Sequence, residues 1–288
     1  MTKTFLLGVG GHKCGTTWLH DYLSKSPQTK MGVFKEYHVF DALTLAEDHS
    51  FYTRRIEEAR AALAAPDFRF DQDPRLWLRL SFLADTDAYF DYFAGLMAKP
   101  RFRLTGDITP AYSGLSARTF RLIRRKVLAR DLRIRVIFLM RDPLERCWSA
   151  VRMDRRETLR TRPDHVFRRT EAEDVVRLVE NRNFVTRTRY DRTIKALEQV
   201  FTPEEILYGF YETLFDRAEV QRICDFLGID MHEPEFEVRK NVSPKTESLD
   251  AQAERRVVDT YRETYDFIAR RFGQDRMAAL WRGYGLIG

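Results

Sequence analysis

Apolar residues along this chain fall into short blocks separated by segments of helical spacing. Five blocks read as buried strands: TFLLGV at 4–9, KMGVF at 30–34, FRLTGD at 102–107, IRVIFLM at 134–140 and EILYGF at 205–210. Short apolar runs bounded by turn residues suit strands covered on both faces. Helical patterns separate most of them. TTWLHDYLSKS starts at Thr16 and must stop before Pro27, DAYFDYFAGLMA at 87–98 ends before Pro100, and SARTFRLIRRKVLAR at 116–130 begins behind a serine cap. Strands alternating with helices predict an α/β fold of three layers, with a central, mostly parallel sheet of five strands flanked by helices. In such sheets ligands gather at the carboxyl ends of the strands. Towards the end of the chain, Val257, Tyr261, Tyr265, Ile268 and Phe272 recur at helical spacing ahead of Gly273, a stripe that reads as core packing.

Composition narrows the function classes. A chain of 288 residues with 44% hydrophobic and 13% aromatic content can bury a sizeable core, which argues against disorder. The length fits one domain over 1–288, with insertions at about 42–100 and 152–200. A net charge of +6 suits anionic ligands, although an excess of arginine also serves solubility alone. Cys14, Cys147 and Cys224 are too scattered for a disulfide framework, and no Cys/His cluster has the spacing of a zinc site. The apolar run at the start is too short for a signal-peptide core, and no stretch approaches the ~20 apolar residues of a membrane span. The expectation is a soluble cytoplasmic protein with no metal and no membrane partner.

The stretch FLLGVGGHKCGTTWLHDYL, residues 5–23, combines strand, glycine-rich loop and helix. Backbone N–H groups from Gly10 to Gly15 and the first helical turn can converge on a phosphate, with Thr16 and Thr17 adding hydroxyl donors. The order G-x-x-x-x-G-K-[ST] is missing, because Lys13 precedes Gly15. A second element, VIFLMRDPLERCWSAVRM at 136–153, places Arg141 at the end of a strand and Asp142 where it can cap a helix opened by Pro143. Arg141, as a fork, and Ser149, as a hydroxyl donor, could hold a second phosphate, while Glu145 and Arg146 read as local ion pairing.

Together these two motifs resemble the sulfotransferases that use 3′-phosphoadenosine 5′-phosphosulfate (PAPS). The resemblance implies a P-loop-like fold in which Gly11, His12, Lys13, Cys14, Gly15, Thr16, Thr17 and Trp18 hold the 5′-phosphosulfate. It assigns the 3′-phosphate to Arg141 and Ser149 and implies no metal. VRKNVSPK at 238–245 resembles the C-terminal segment of that family, where Arg239 and Lys240 would close over the nucleotide.

KEYHVFD at 35–41 gathers Glu36, His38 and Asp41 beside the expected nucleotide edge, and either a carboxylate or an imidazole can act as general base. The segment resembles the K-E-x-H-F-F-D run of heparan sulfate and other glycan sulfotransferases. That resemblance makes Glu36 and His38 catalytic, Glu36 as the base, with Asp41 on the acceptor side. GDITPAYS at 106–113 is similar to the E-K-[ST]-P-x-Y segment of the same subgroup, with Thr109 and Tyr112 kept on the acceptor side. Ile108 stands where that subgroup carries a lysine. The implied reaction moves a sulfuryl group from PAPS to the hydroxyl of a carbohydrate or other small molecule, releasing PAP.

The arginine-rich stretch 152–170 reads either as a solvated basic face or as a wall receiving an anionic acceptor. Two other functions stay open on sequence alone. One is a P-loop kinase or related phosphotransferase, disfavoured by the early lysine. The other is a basic nucleic-acid-binding protein, for which no helix-turn-helix, zinc or RNA-recognition signature is present.

Overall fold

The computed structural model describes residues 3–237, 245 and 247–287. Four parallel strands form the sheet, β1 (Thr4–Gly10), β2 (Leu104–Ile108), β3 (Arg133–Met140) and β4 (Ile206–Phe210), in the order β2-β1-β3-β4. The expected fifth strand at 30–34 does not form. Thr29 makes a single bridge to Leu104, and then Gly32 adopts φ 82, which turns the chain out of the sheet.

The helices before β3 are α1 (Thr16–Lys25), α2 (Phe40–Thr44), α3 (His49–Ala64), α4 (Pro74–Ala84), α5 (Thr86–Leu96) and α6 (Ala117–Leu128). Between β3 and β4 lie α7 (Pro143–Thr161), α8 (Glu171–Leu178), α9 (Arg182–Thr188) and α10 (Tyr190–Glu198). After β4 come α11 (Arg217–Leu227), α12 (Ala251–Thr260), α13 (Arg262–Phe272) and α14 (Gln274–Leu280). No helix among the described residues is long and apolar enough to cross a membrane.

Alternation along the strands sorts side chains into two cores. Phe5, Leu7 and Val9 of β1 join Val136, Phe138 and Met140 of β3 in the larger one, closed by α5, α6, α7, α10, α12 and α13. Leu6, Ile137, Leu139 and Leu207 face the smaller one, closed by α1 and α11. Full burial of such a residue contributes roughly 1.5–3 kcal/mol, so the three-layer arrangement follows from the period of two. Ile108 belongs to the smaller core, against Gly8 of β1.

The expected caps form. Ser116 Oγ accepts from Thr119 N–H, and α1 ends at Lys25 ahead of Pro27. The C-terminal stripe is core as read, with Val257, Tyr261, Tyr265 and Ile268 fully buried, but Tyr261 breaks it into two helices. The arginine-rich stretch begins as helix, because α7 runs on to Thr161.

Candidate active site

At the carboxyl end of β1 the chain turns through Gly10 (φ 127), Lys13 (φ 66) and Gly15 (φ 88) into α1. Gly15 is required twice over. Its backbone is left-handed, and a Cβ there would stand 2.4 Å from Leu214 Cδ2. No side chain caps α1 at this residue, so the N–H groups of its first turn are left for a ligand. Lys13 carries a side chain in the same strained region, a cost of about 1–3 kcal/mol that tends to collect at functional sites.

Burial depresses the Lys13 ammonium to about 8, assisted by the charges of Arg156, Arg141, Arg152 and Lys35. His12 is pushed well below its ordinary value, first by burial and then by Arg187, Arg146 and Lys13, which leaves the ring neutral. Gly11 and Cys14 form the back of the loop. The Gly11 N–H donates to the Leu139 carbonyl at 2.5 Å, and burial raises the Cys14 thiol to about 12.

The peptide between Arg141 and Asp142 is fixed at both ends. Tyr190 Oη donates to the Arg141 carbonyl at 2.9 Å, and the Asp142 N–H donates to Glu212 Oε1 at 3.0 Å. Asp142 caps α7 through Leu144 N–H at 3.0 Å and also accepts from Tyr265 Oη at 2.5 Å and Gly283 N–H at 2.8 Å. Held this way, the Arg141 guanidinium lies over the Tyr211 ring at 4.2 Å and reaches the Lys13 carbonyl at 3.3 Å. It pairs with Glu145 at 3.2 Å, yet its Nε is buried with no partner. Glu145 therefore pairs locally as expected. Arg146 does not: it is buried, its Nη2 donates to Cys147 Sγ at 3.1 Å, and its guanidinium lies over Phe184.

The 35–41 segment hangs from a buried carboxylate. Asp107, at the end of β2, accepts from Thr109 Oγ1 at 2.6 Å, Tyr112 Oη at 2.8 Å and Tyr89 Oη at 2.9 Å. Thr109 Oγ1 in turn accepts from Tyr37 N–H at 2.9 Å, and Tyr112 Oη accepts from Val39 N–H at 3.3 Å. Those bonds hold His38 in a left-handed conformation, φ 55, between two acids. His38 Nδ1 is 2.6 Å from Asp41 Oδ2, and its Nε2 is 3.1 Å from Glu36 Oε2.

A neutral imidazole can donate to one carboxylate only, so two such partners call for the imidazolium. Burial alone would lower His38, but its bonds to Asp41 and Glu36 outweigh that and raise it to about 9. Burial likewise would raise Glu36, but the His38 bond and the Lys35 charge hold it at about 2.

These parts meet in one cleft of about 620 Å³, which Lys13, Glu36, Arg141 and Ser149 all line. His12, Gly15, Thr16, Thr17 and Trp18 line it too, whereas Gly11 and Cys14 stand behind the loop. Thr109 and Tyr112, expected on the acceptor side, are fully buried beneath the 35–41 segment. Asp41 and His38 face an adjoining hollow of about 600 Å³ with Asp48, Arg54 and Arg187. Arg239 and Lys240 lie outside the described residues. Lys245, from the same stretch, lines the cleft with its ammonium 4.5 Å above the Trp148 ring.

Lys35, Arg152, Arg156, Tyr211 and Phe215 also line the cleft and were not singled out from sequence. Signals existed for some of them. Tyr211 directly follows β4, and Arg152 and Arg156 follow Ser149 at helical spacing. No group of three or more His, Cys, Asp or Glu residues able to hold a metal occurs among the described residues.

A family model described as a sulfotransferase domain matches residues 2–270. The chain belongs to the sulfotransferase family. Among solved structures, this sulfotransferase is similar to one from Alicyclobacillus acidocaldarius, with a TM-score of 0.60 at 17% identity over 94% of this chain and 96% of that one. A looser likeness, TM-score 0.47 at 17% identity, covers 91% of this chain and 94% of the sulfotransferase domain from the Synechococcus PCC 7002 olefin synthase. No curated protein matches the sequence. The first likeness supports the fold, and the family match identifies sulfuryl transfer as the activity.

Proposed function

We propose that this sulfotransferase takes PAPS as donor and transfers its sulfuryl group to a hydroxyl of a carbohydrate or other small molecule, with Glu36 as general base. The observation that carries the reading is a single cleft lined by Lys13, Arg141, Ser149 and Glu36. The residues suit a doubly phosphorylated nucleotide. An uncapped helix start with Lys13 offers one anion cradle, and Arg141, with a buried Nε that lacks a partner, offers another. Residues 1–288 are read as one domain whose insertions at about 42–100 and 152–200 wall the acceptor side.

The donor supplies an activated sulfuryl group on a phosphate leaving oxygen. First-turn N–H groups of α1 with Thr16 and Thr17 hold the 5′-phosphate, Gly11 and Cys14 shape the loop behind it, and His12 and Trp18 border it. Arg141 and Ser149 hold the 3′-phosphate. Glu36 accepts the acceptor's hydroxyl proton as the new S–O bond forms, and Lys13 stabilises the charge left on the phosphate oxygen when the old S–O bond breaks.

Glu36, held at about 2, is a weak base while it shares protons with Lys35 and His38. Lys35 also lines the cleft, so an anionic sulfuryl group competes for its ammonium and frees Glu36 to act. His38 and Asp41 orient that carboxylate, and Thr109 and Tyr112 position the segment from below.

A labelled-PAPS assay over carbohydrate, phenolic and lipid hydroxyls tests the reaction, and a thermal-shift comparison of PAP with ATP-Mg tests the nucleotide. Stabilisation by PAP and labelled product are expected. Stabilisation by ATP-Mg alone would hand the site to a phosphotransferase.

A further inference from the structure

Two arginines of α7, Arg152 and Arg156, line the cleft without an ion pair among the described residues, although the charges of Glu145 and Glu171 act on Arg152. Ser149, Arg152 and Arg156 recur at spacings of three and four, which sets them on one face of the helix, and all three line the cleft. Arg152 is 6% exposed and lies over Trp148 at 4.4 Å, and its Nε and Nη1 have no hydrogen-bond partner. Two carboxylates of the same helix, Asp154 and Glu157, line the cleft beside the two arginines. Arg155 pairs with Asp174 and Glu247, and Glu157 pairs with Arg160. Arg156 forms no ion pair among the described residues. A buried guanidinium left unsatisfied costs stability unless a ligand completes it.

The nucleotide leaves these groups over. The 5′ end falls to the loop and Lys13, and the 3′-phosphate falls to Arg141 and Ser149, while the arginine stripe runs on past Ser149. Arg156 lines the same cleft as Lys13 and Glu36, and its charge helps burial to depress the Lys13 ammonium. We infer that Arg152 and Arg156 form a third anion site, which binds an acidic group carried by the hydroxyl acceptor. A carboxylate, a phosphate ester and a sulfate ester share the chemistry that the two guanidinium forks recognise. This inference rests on the PAPS-dependent reading and names the acceptor class for the same site.

The test titrates PAP-saturated protein calorimetrically with matched probes: 4-hydroxyphenylacetate against its methyl ester, and glucuronate against its methyl ester. Each acid is expected to bind at least about tenfold more tightly than its ester. Arg156→Gln should erase that preference and Arg156→Lys should restore part of it, with PAP affinity in both variants within about twofold of wild type. Equal binding of acid and ester by the wild type overturns the inference. Weakened PAP binding in Arg156→Gln also overturns it, by assigning the stripe to the nucleotide. A wild-type protein that binds no PAP removes the underlying reading and the inference with it. Hydroxyphosphate and hydroxysulfate probes, run in the same way, sort the three kinds of acidic group.

Discussion

The loop around Lys13 and the segment from Lys35 to Asp41, whose Lys35 and Glu36 line the same cleft, carry charge in opposite ways. Around Lys13 stand Arg156, Arg141, Arg152 and Lys35, and together with burial they bring its ammonium down to about 8. In the 35–41 segment each charge has an answering one: Lys35 bonds to Glu36, Glu36 to His38 and His38 to Asp41. Like charges gathered in a partly dry site store repulsion that an anionic ligand releases on binding. A chain of paired opposite charges holds its own geometry without a ligand, even with Asp41 Oδ1 buried and unpartnered. On the proposed reading, the first region binds and the second reacts.

Substitutions should separate the two. Glu36→Gln is expected to lower turnover by ~10²-fold or more while leaving PAP affinity near wild type, since it removes the proton acceptor and keeps the shape. Lys13→Ala should cost ~10²-fold or more in turnover and weaken PAP as well. Steady-state kinetics beside PAP calorimetry tell them apart, and matching PAP losses in both variants would dissolve the contrast. Arg141→Ala comes next. Loss of a charge-assisted fork worth about 1.5–3 kcal/mol predicts PAP binding weaker by ~10- to 100-fold. Unchanged PAP affinity there would mean that the second cradle lies elsewhere.

How legible all this was in the sequence depended on whether the information was contiguous. Strand periodicity predicted the layers because alternate residues of β1 and β3 do face different cores. It failed at 30–34, where Gly32 turns the chain away after one bridge, a tertiary outcome that apolar content does not reveal. The loop and the Arg141 turn were readable because each is a short motif at the end of a strand. Arg152 and Arg156 were submerged in a stretch dense with arginine, and their helical spacing behind Ser149 gains meaning once α7 runs on to Thr161. Thr109 and Tyr112 carried a pattern without a direction. Burial of Asp107 draws both hydroxyls beneath the 35–41 segment and away from the cleft.

That burial supplies a gentler test of the reacting side. Tyr112→Phe removes one donor from Asp107 and leaves the Val39 N–H without its acceptor, a loss of about 1–3 kcal/mol read by denaturant unfolding. Turnover should fall several-fold, because Glu36 and His38 lose part of their support, while PAP affinity stays put. A stability loss with full turnover would show that the segment is positioned by other bonds.

The smallest effect probes the binding side most directly. A lysine at about 8 is half deprotonated in the free protein at pH 8, and an anion bound beside it favours the charged form. PAP binding at that pH should therefore take up protons, at most about half a proton per site, and uptake should shrink towards pH 6.5, where Lys13 is already charged. The phosphates of PAP are ionised at pH 8 and do not mask the signal. Calorimetry in buffers of different ionisation enthalpy reads the number, as the slope of apparent binding enthalpy against buffer enthalpy. His38, raised to about 9, is mostly protonated at pH 8 and can add little. Glu212, which burial raises to about 7 against its bond from the Asp142 N–H, is mostly ionised there. Lys13→Arg settles the source, because a guanidinium stays charged throughout and should bring the uptake close to zero. Undiminished uptake in that variant would move the titrating group away from Lys13, and with it the reason for calling this half of the cleft the binding half.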